Sequence, residues 1–375
     1  MNTAADEHVR ISCPAAVLGD LHGEGAATAA DWRAATRERV LDELETFLLG
    51  NRLGVVRGIA LDGIAHRYVM GGKCLRSTFM YAGWLCGAAP DPAALRASSA
   101  LELVHAFALI QDDVMDESGV RRGAPAGHSD FTGQHKTLDL PGDAARFGES
   151  AAVLLADICL VWADKMLRDS GIGADALHRV WPRYDAMRVE LALGQFADLL
   201  NDARTDPRFE DVLAVARAKS GNYTVRRPLE MGAAMAGCDE RVLSALGRYG
   251  RVVGEAFQLR DDLLGVFGAD ETTGKPGDGD LAQHKATTVV VTARRLAKPG
   301  VRHELDALLA APAVGVGAIE RLRELITASG ARDRMEDMIG DRLTEARQAI
   351  DAAALPERAR RLLDGLGLIC ATNQV

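Results

Sequence analysis

Apolar positions recur along this chain at the three-to-four-residue spacing of amphipathic helices. The first such segment begins at Asp31, where apolar residues are interleaved with charged ones. A longer apolar segment over 91–116 predicts one helix, because Asp91 suits the N-cap and Pro92 suits the first helical position. The same spacing predicts further helices over 149–171, 181–202, 212–225 and 242–268, and from 287 to the C-terminus.

Three segments lack this periodicity. Residues 1–28 are aperiodic and predict a flexible N-terminal extension, whereas 117–147 and 269–285 are polar stretches with Gly and Pro that predict loops, the first of them a loop or lid. No segment shows the alternation typical of a strand, and Thr287–Thr292 is interpreted as helical from its context. The pattern predicts one large all-α domain over 29–375 after the extension.

Composition agrees with helices and excludes some classes of function. The 375 residues are 48% hydrophobic but only 5% aromatic, which favours an Ala- and Leu-rich helical protein over a sheet protein. The net charge of −9 provides no basic field to attract nucleic acid, so we expect no nucleic-acid partner. The six cysteines form neither a CxxC pair nor a Cys/His cluster, which argues against structural zinc.

The chain shows no targeting or membrane-spanning pattern. Its N-terminus lacks the apolar core of a signal peptide. No run of about 18 apolar residues predicts a transmembrane helix. We therefore expect a cytoplasmic protein that would meet an apolar substrate from the cytosol or the membrane surface.

Clusters of acids end several of the predicted apolar helices. Asp112, Asp113 and Asp116 are three or four residues apart and project from one sector of a helix. A solvated helix end is the alternative interpretation, but the pattern recurs in Gln258, Asp261 and Asp262, and again in Gln195 and Asp198. Carboxylate oxygens suit Mg²⁺, which is often shared with substrate phosphates, so two facing clusters would clamp a polyphosphate.

Cations lie close to these acids in the sequence. Each alone is typical of a solvated surface charge, but together they predict a site for two phosphate groups, one bound through Mg²⁺ and one held directly. The cations are Lys73, Arg76, Arg121, Arg122, Lys219, Lys275 and Lys285.

Seven spaced motifs then resemble those of one family. In chain order they are GGKCLR, LELVHAFALIQDDVMD, RRGAP, GQFADL, KSGNYT, EAFQLRDDLLG and GKPGDGDLAQHK. They resemble the trans-isoprenyl diphosphate synthases, also called polyprenyl synthetases, and in particular the bacterial geranylgeranyl diphosphate synthases. The resemblance covers about residues 50–300. It implies an isoprenoid synthase fold with a central apolar tunnel, a homodimer, and condensation of isopentenyl diphosphate with an allylic diphosphate (dimethylallyl, geranyl or farnesyl).

The resemblance also implies roles for individual residues. The group that binds three Mg²⁺ ions per active site would comprise Asp112, Asp113, Asp116, Asp261 and Asp262. Asp112, Asp116 and Asp261 would chiefly hold the ions, with Asp113 as a support for the first two and with Asp262 and Gln258 behind Asp261. The allylic diphosphate would contact Arg121, Lys219, Ser220, Gln258, Lys275 and Lys285. Isopentenyl diphosphate would be held without metal by Gly72, Lys73, Arg76, His105 and Arg122. The residues most directly involved in catalysis would be Asp112, Asp116, Asp261, Lys219 and Arg121.

The sequence departs from the family pattern at four positions. Cys74 stands where Arg is common, Gln111 where His is frequent, Gly265 where a third aspartate often occurs, and His284 where Gly often precedes the lysine. The proposed metal and phosphate residues remain, so we expect activity with weaker binding of the third metal ion.

Product length is predicted from one position on the helix that carries the first acid cluster. Phe107 lies five residues before Asp112 and is followed by the small Ala108, as in family members that stop at twenty carbons. Fifteen and twenty-five carbons are the alternatives, and Phe107 could instead be an ordinary core residue.

Two other functions remain open at this point. A terpene cyclase of related helical fold would also use aspartate-bound Mg²⁺, but it would not need the second, metal-free site of Lys73, Arg76 and His105. An inactive partner subunit is the other alternative, supported only by Cys74, Gln111 and Gly265.

Overall fold

Helices make up almost all of the regular structure in the computed structural model, which confirms the predicted all-α class. The structure describes residues 28–202, 208–268, 281, 287–311 and 316–372. The first helices are α1 (Ala29–Gly50), α2 (Asp62–Met70), α3 (Leu75–Trp84), α4 (Pro92–Met115), α5 (Gly127–Thr137), α6 (Ala144–Arg168) and α7 (Ala174–Asp202).

The second half of the chain continues the helical array. Its helices are α8 (Phe209–Ala216), a π-helical segment (Arg217–Arg226), α9 (Arg227–Met235), α10 (Glu240–Phe267), α11 (Thr288–Leu296), α12 (Pro299–Leu309), α13 (Val316–Ala328), α14 (Ala331–Asp351) and α15 (Glu357–Thr372). The predicted helical interpretation of Thr287–Thr292 is confirmed by α11.

Side-chain caps explain where several helices begin. The Asp91 carboxylate accepts from the Ala93 N–H at 2.7 Å, and Pro92 occupies the first turn of α4, as predicted. Helix α1 begins two residues before Asp31, because Thr28 and Asp31 form a capping box.

Two short hairpins correct the expectation that the chain has no strands. Strands β1 (Val55–Val56) and β2 (Ile59–Ala60) pair antiparallel, as do β3 (Val120–Arg121) and β4 (Ala124–Pro125). Two residues are too few to show alternation in a sequence. The predicted loop over 117–147 contains the second hairpin and α5, so it is more ordered than the sequence indicated.

Helix α4 lies at the centre of the fold, packed against α3 and α6. It is long and apolar enough to cross a membrane by length and composition alone, but 67% of its most apolar stretch is buried within the fold. A hydrocarbon-like helix with this much burial is typical of a protein core. A second hydrophobic cluster joins the C-terminal half of α10 to α11–α14, and so fixes the end of α10 that carries the second acid cluster.

Candidate functional site

A polar cavity of about 680 Å³ opens between α3, α4, the π-helical segment and α10. It brings together residues that are widely separated in the sequence. Nine of the residues predicted to bind metal or diphosphate line it: Lys73, Arg76, His105, Asp112, Arg121, Arg122, Lys219, Gln258 and Asp261. One aspartate of each acid cluster and five of the predicted cations therefore share one space.

Asp112 faces this cavity from the last turns of α4. Its Oδ1 accepts from Lys219 Nζ at 2.9 Å, and the same ammonium donates to Asp198 Oδ2 at 2.6 Å. Gln195 Nε2 is 3.3 Å from Asp112 Oδ1, so the GQFADL motif of α7 also reaches this carboxylate. Burial alone would lower the pKa of Lys219, but the two carboxylates outweigh it and hold the pKa above its ordinary value.

Asp113 points the other way and is fully buried. Its Oδ2 accepts from the Tyr68 hydroxyl at 2.6 Å, and its Oδ1 accepts from Arg121 Nε at 2.8 Å and from Arg121 Nη2. Both oxygens are used by these donors and Asp113 does not line the cavity, which is the position of a supporting residue behind Asp112 in the predicted metal-binding group. Asp113 thereby orients Arg121, whose guanidinium lies 3.7 Å from Asp112.

Tyr68 is a member of this arrangement that the sequence did not reveal. Its hydroxyl also accepts from the Gly127 N–H at 2.9 Å, which ties α5 to the acid cluster. The sequence offers one indication of this role: Tyr68 places a hydroxyl group on the otherwise apolar face of α2.

Asp116 caps the C-terminus of α4, one turn beyond Asp112. Its N–H donates to the Asp112 carbonyl at 2.8 Å, and its side chain is half-buried. It is not among the residues that line the cavity.

The second acid cluster divides in the same way as the first. Asp261 is exposed and lines the cavity, whereas Asp262 is buried. Asp262 accepts from Gln258 Nε2 at 2.7 Å and from the Thr288 N–H at 2.9 Å, so it orients Gln258 and joins α10 to the start of α11. Burial raises the pKa of Asp262 to about 7, against the opposing effect of these hydrogen bonds.

Lys219 reaches the cavity from the π-helical segment. The sequence predicted an ordinary helix here, and π-type turns are frequent at functional sites. Gly221 packs directly on Gly254 of α10, where a Cβ on Gly221 would lie 2.9 Å from the Gly254 carbonyl carbon. This close crossing places the KSGNYT motif against the helix that bears Asp261.

A buried carboxylate holds the π-helical segment in place. Glu255 accepts from Arg217 Nε at 2.8 Å and from Arg342 Nε at 2.7 Å, and Arg251 Nη1 lies 3.1 Å away. Arg217 is two residues before Lys219, so this cluster links the lysine to both α10 and α14.

The residues predicted to form a metal-free site are gathered around Tyr223. The Arg76 guanidinium lies 4.3 Å from the centroid of the Tyr223 ring, and the His105 ring is 6.4 Å away. Desolvation, followed by the charges of Arg76 and Arg122, holds the pKa of His105 well below its usual value. A neutral imidazole beside guanidinium groups can donate to a phosphate without adding to their mutual repulsion.

The glycines of GGKCLR make room for Arg122. A Cβ on Gly71 would collide with Arg122 Nη1. The Gly72 carbonyl accepts from Arg37 Nε at 3.0 Å, which fixes the loop before α3. Arg122 itself lies at the turn between β3 and β4 with φ +52°, a left-handed conformation that non-glycine residues seldom adopt.

Lys73 completes the predicted metal-free group. Burial lowers its pKa, and the nearby Asp261 opposes this shift. Lys275, Lys285, His284 and the side chain of Ser220 lie outside the described residues. Their predicted roles stay predictions.

An apolar cavity of about 590 Å³ adjoins the polar one. Helices α4, α6 and α7 form its wall, which includes Phe107 and Ala108 as predicted for the tunnel. Asp112, Ala108, Leu191 and Gln195 line both cavities, so Asp112 stands at their boundary. The arrangement suits a molecule with a charged head and a hydrocarbon tail.

The described residues contain no group of three or more closely spaced carboxylate, His or Cys ligands preformed for a metal. Asp112 and Asp261 instead face one cavity from opposite helices. This donor set fits Mg²⁺ whose remaining ligands are water and substrate phosphate.

Comparison with known proteins is consistent with this site. The family model for polyprenyl synthetases matches residues 60–326. A geranylfarnesyl diphosphate synthase of Aeropyrum pernix is 30% identical over 305 residues, which are 80% of this chain and 89% of that protein. A geranylgeranyl diphosphate synthase of Mycobacterium tuberculosis is 32% identical over 293 residues, 77% of this chain and 76% of that protein.

A solved structure has the same fold. The geranylgeranyl pyrophosphate synthase of Corynebacterium glutamicum, complexed with isoprenyl diphosphate and magnesium, superposes with a TM-score of 0.83 and 32% identity. The superposition covers 90% of this chain and 99% of that one.

Proposed function

The chain belongs to the polyprenyl synthetase family and is a trans-prenyl diphosphate synthase, and we propose that it makes geranylgeranyl diphosphate. The observation that carries the proposal is the pair of joined cavities. One gathers two facing carboxylates and two groups of cations, the other is apolar, and Asp112 stands between them.

The allylic diphosphate occupies the side of the polar cavity nearest Asp112 and Asp261. Asp112, Asp116 and Asp261 would hold Mg²⁺, three ions per site by the family resemblance, which when bound neutralises charge on the leaving diphosphate. Lys219 and Arg121 stabilise the same developing charge, because both are fixed in place before the substrate arrives. Gln258, and by resemblance Ser220, Lys275 and Lys285, complete this side.

Isopentenyl diphosphate occupies the metal-free side. Lys73, Arg76 and Arg122 grip its phosphates, with His105 and the Gly72 loop beside them. Its double bond is thereby held at the face of the allylic carbon, which removes much of the entropic cost of their encounter. The apolar wall keeps water from the carbocation, and the proton lost after bond formation goes to the departed diphosphate.

Asp113 and Asp262 act in this proposal by positioning other groups, in line with the supporting roles that the resemblance implied for them. Asp113 orients Arg121, and Asp262 orients Gln258. Gly265 leaves the second cluster without a further carboxylate, which weakens binding of the third ion.

The product length is proposed from the wall of the apolar cavity. Phe107 narrows it five residues before Asp112, with Ala108 beside it. The relatives named above make products of different lengths, so product sizing of this protein and of Phe107→Ala decides the matter. An unchanged product in the variant would exclude Phe107 as the floor.

We also propose a homodimer. Apolar side chains on α6 and α7 are exposed in the single chain, including Leu154 (64%), Val161 (66%), Leu193 (64%) and Phe196 (63%). A patch of this kind is typical of a subunit interface. Light scattering should give twice the chain mass, and Leu193→Asp should give the monomer mass, whereas Leu368→Asp on α15 should leave the dimer intact.

One assay tests the enzymatic proposal. The purified protein, proposed to be cytoplasmic, is supplied with Mg²⁺, isopentenyl diphosphate and each allylic primer, and both released diphosphate and product size are measured. We expect consumption of isopentenyl diphosphate and a linear twenty-carbon diphosphate, with no turnover in EDTA. A cyclic hydrocarbon formed from the allylic substrate alone would indicate a terpene cyclase, and no turnover at all would indicate an inactive partner subunit.

A further inference from the structure

A charged cross-link borders the apolar cavity on the part of α7 that precedes Gln195. The α7 residues that line it run from Asp185 and Arg188 to Leu199. Gln195 is level with Asp112, since their side chains are 3.3 Å apart. Arg188 is seven residues earlier on α7, which at 1.5 Å per residue is about 10.5 Å deeper. Phe107, five residues before Asp112 on α4, is only about 7.5 Å deep by the same measure.

Arg188 is held across the gap between two helices. Its Nη1 donates to Asp164 Oδ1 of α6 at 2.8 Å, and its Nη2 donates to Asp185 Oδ1 at 2.5 Å. The guanidinium carbon lies 4.2 Å from the centroid of the Tyr184 ring, which is fully buried. Leu160, one turn before Asp164 on α6, also lines the cavity, so the link joins α6 to α7 beside this wall.

Such a link opposes a growing hydrocarbon differently from an apolar side chain. An aromatic ring can move aside and still pack against the tail. The Arg188 side chain is only 24% exposed, and to let a hydrocarbon pass it would have to leave Asp164 and the Tyr184 ring, for which the hydrocarbon offers no replacement. The link should therefore still limit the length of the hydrocarbon after Phe107 is replaced by Ala.

The geometry points to Arg188, held by Asp164, as a second determinant of product length below Phe107. This inference rests on the proposed prenyl synthase function. The first determinant acts by bulk at the level of Phe107, and the second acts by charge at the level of Arg188. Phe107→Ala alone should lengthen the product only as far as Arg188 allows.

Product sizing of single and double variants tests the inference. In the Phe107→Ala background, Arg188→Met should extend the main product by at least one further five-carbon unit. Arg183→Met in the same background is the matched control, because Arg183 is on α7 but does not line the cavity, and it should add nothing. Equal product lengths for Phe107→Ala and its Arg188→Met derivative would overturn the inference.

A second variant guards against loss of folding. If circular dichroism shows that Arg188→Met is unfolded, Asp164→Asn in the Phe107→Ala background keeps the arginine and weakens its anchor, and it should raise the share of longer products. Arg188→Lys should restore the shorter product. A wild-type protein that does not elongate any primer would overturn the proposed function itself, whereas normal elongation with unchanged lengths in all variants would overturn only the role of Arg188.

Discussion

The two acid clusters, on α4 and α10, share one design. In each, two adjacent aspartates divide their tasks: Asp112 and Asp261 face the cavity, while Asp113 and Asp262 turn into the protein. The buried partners differ, however. Asp113 is paired with a cation, Arg121, whereas Asp262 has only neutral donors, Thr288 and Gln258. Substitution of the aspartate that faces the cavity should therefore reduce activity. Substitution of the buried aspartate should reduce stability, and by more where its partner is a cation.

The largest effect on activity should come from substitution of Asp261, which faces the cavity. Asp261→Asn removes a charge that holds the metal-bound diphosphate, so kcat should fall by a factor of about 100 to 1,000. The free energy of unfolding should stay close to that of the wild type, because the side chain is exposed. Asp337→Asn, exposed on α14, is the control for both measurements. A variant that keeps full activity would remove Asp261 from the proposed site.

The largest loss of stability should come from Asp113→Asn. The change leaves the largely buried Arg121 with a neutral neighbour at 113 and only the more distant Asp112 carboxylate, which should lower the free energy of unfolding by about 3 kcal/mol. Urea denaturation measures the loss, and turnover should also fall because Arg121 is no longer held. Stability within about 0.5 kcal/mol of the wild type would show that the ion pair does not support the fold.

Asp262→Asn should be milder, by about 1 kcal/mol, because hydrogen bonds to neutral donors are replaced in part. The effect should depend on pH. Since the folded pKa of Asp262 is raised to about 7, its favourable contribution is complete below the unfolded value and declines as pH rises through 7. The variant should therefore lose most stability at pH 5 and least at pH 8. A difference that grows from pH 5 to pH 8 would refute the raised pKa.

The smallest effect on stability at neutral pH concerns the proposed metal-free side. The lowered pKa of His105 means that the unfolded chain binds a proton more readily, so stability should fall as pH drops below about 6.5. His105→Gln should flatten this dependence by up to about 2 kcal/mol at pH 5. Urea denaturation at pH 5 and pH 7 measures the slope. Parallel slopes in variant and wild type would mean that His105 is protonated in the folded protein.

Local patterns in the sequence predicted the helices well, because a cap such as Asp91 and the residue Pro92 act within a few residues of themselves. The resemblance of the motifs to a known family, and not local patterns, predicted which motifs meet at the site. It also implied that Asp113 supports Asp112 and that Asp262 stands behind Asp261, a choice that local patterns alone do not reveal. That choice depends on Tyr68 and Thr288, which lie in other helices and carry no local sign of the pairing.

The π-helical segment and the cross-link at Arg188 were missed for the same reason. The first depends on the contact between Gly221 and Gly254, and the second on Asp164, 24 residues from Arg188. Both are tertiary contacts between helices, which the periodicity of a single helix does not contain.

The central claim is that the cavity has two diphosphate sites, one bounded by Asp112 and Asp261 and dependent on Mg²⁺, the other formed by cations alone. Isothermal titration of wild type, Asp261→Asn and Arg76→Met with isopentenyl diphosphate in EDTA, and with inorganic pyrophosphate plus Mg²⁺, tests it directly. We predict that Asp261→Asn weakens only the Mg²⁺-dependent binding and that Arg76→Met weakens only the binding of isopentenyl diphosphate in EDTA. Equal weakening of both ligands by either variant would contradict the two-site account.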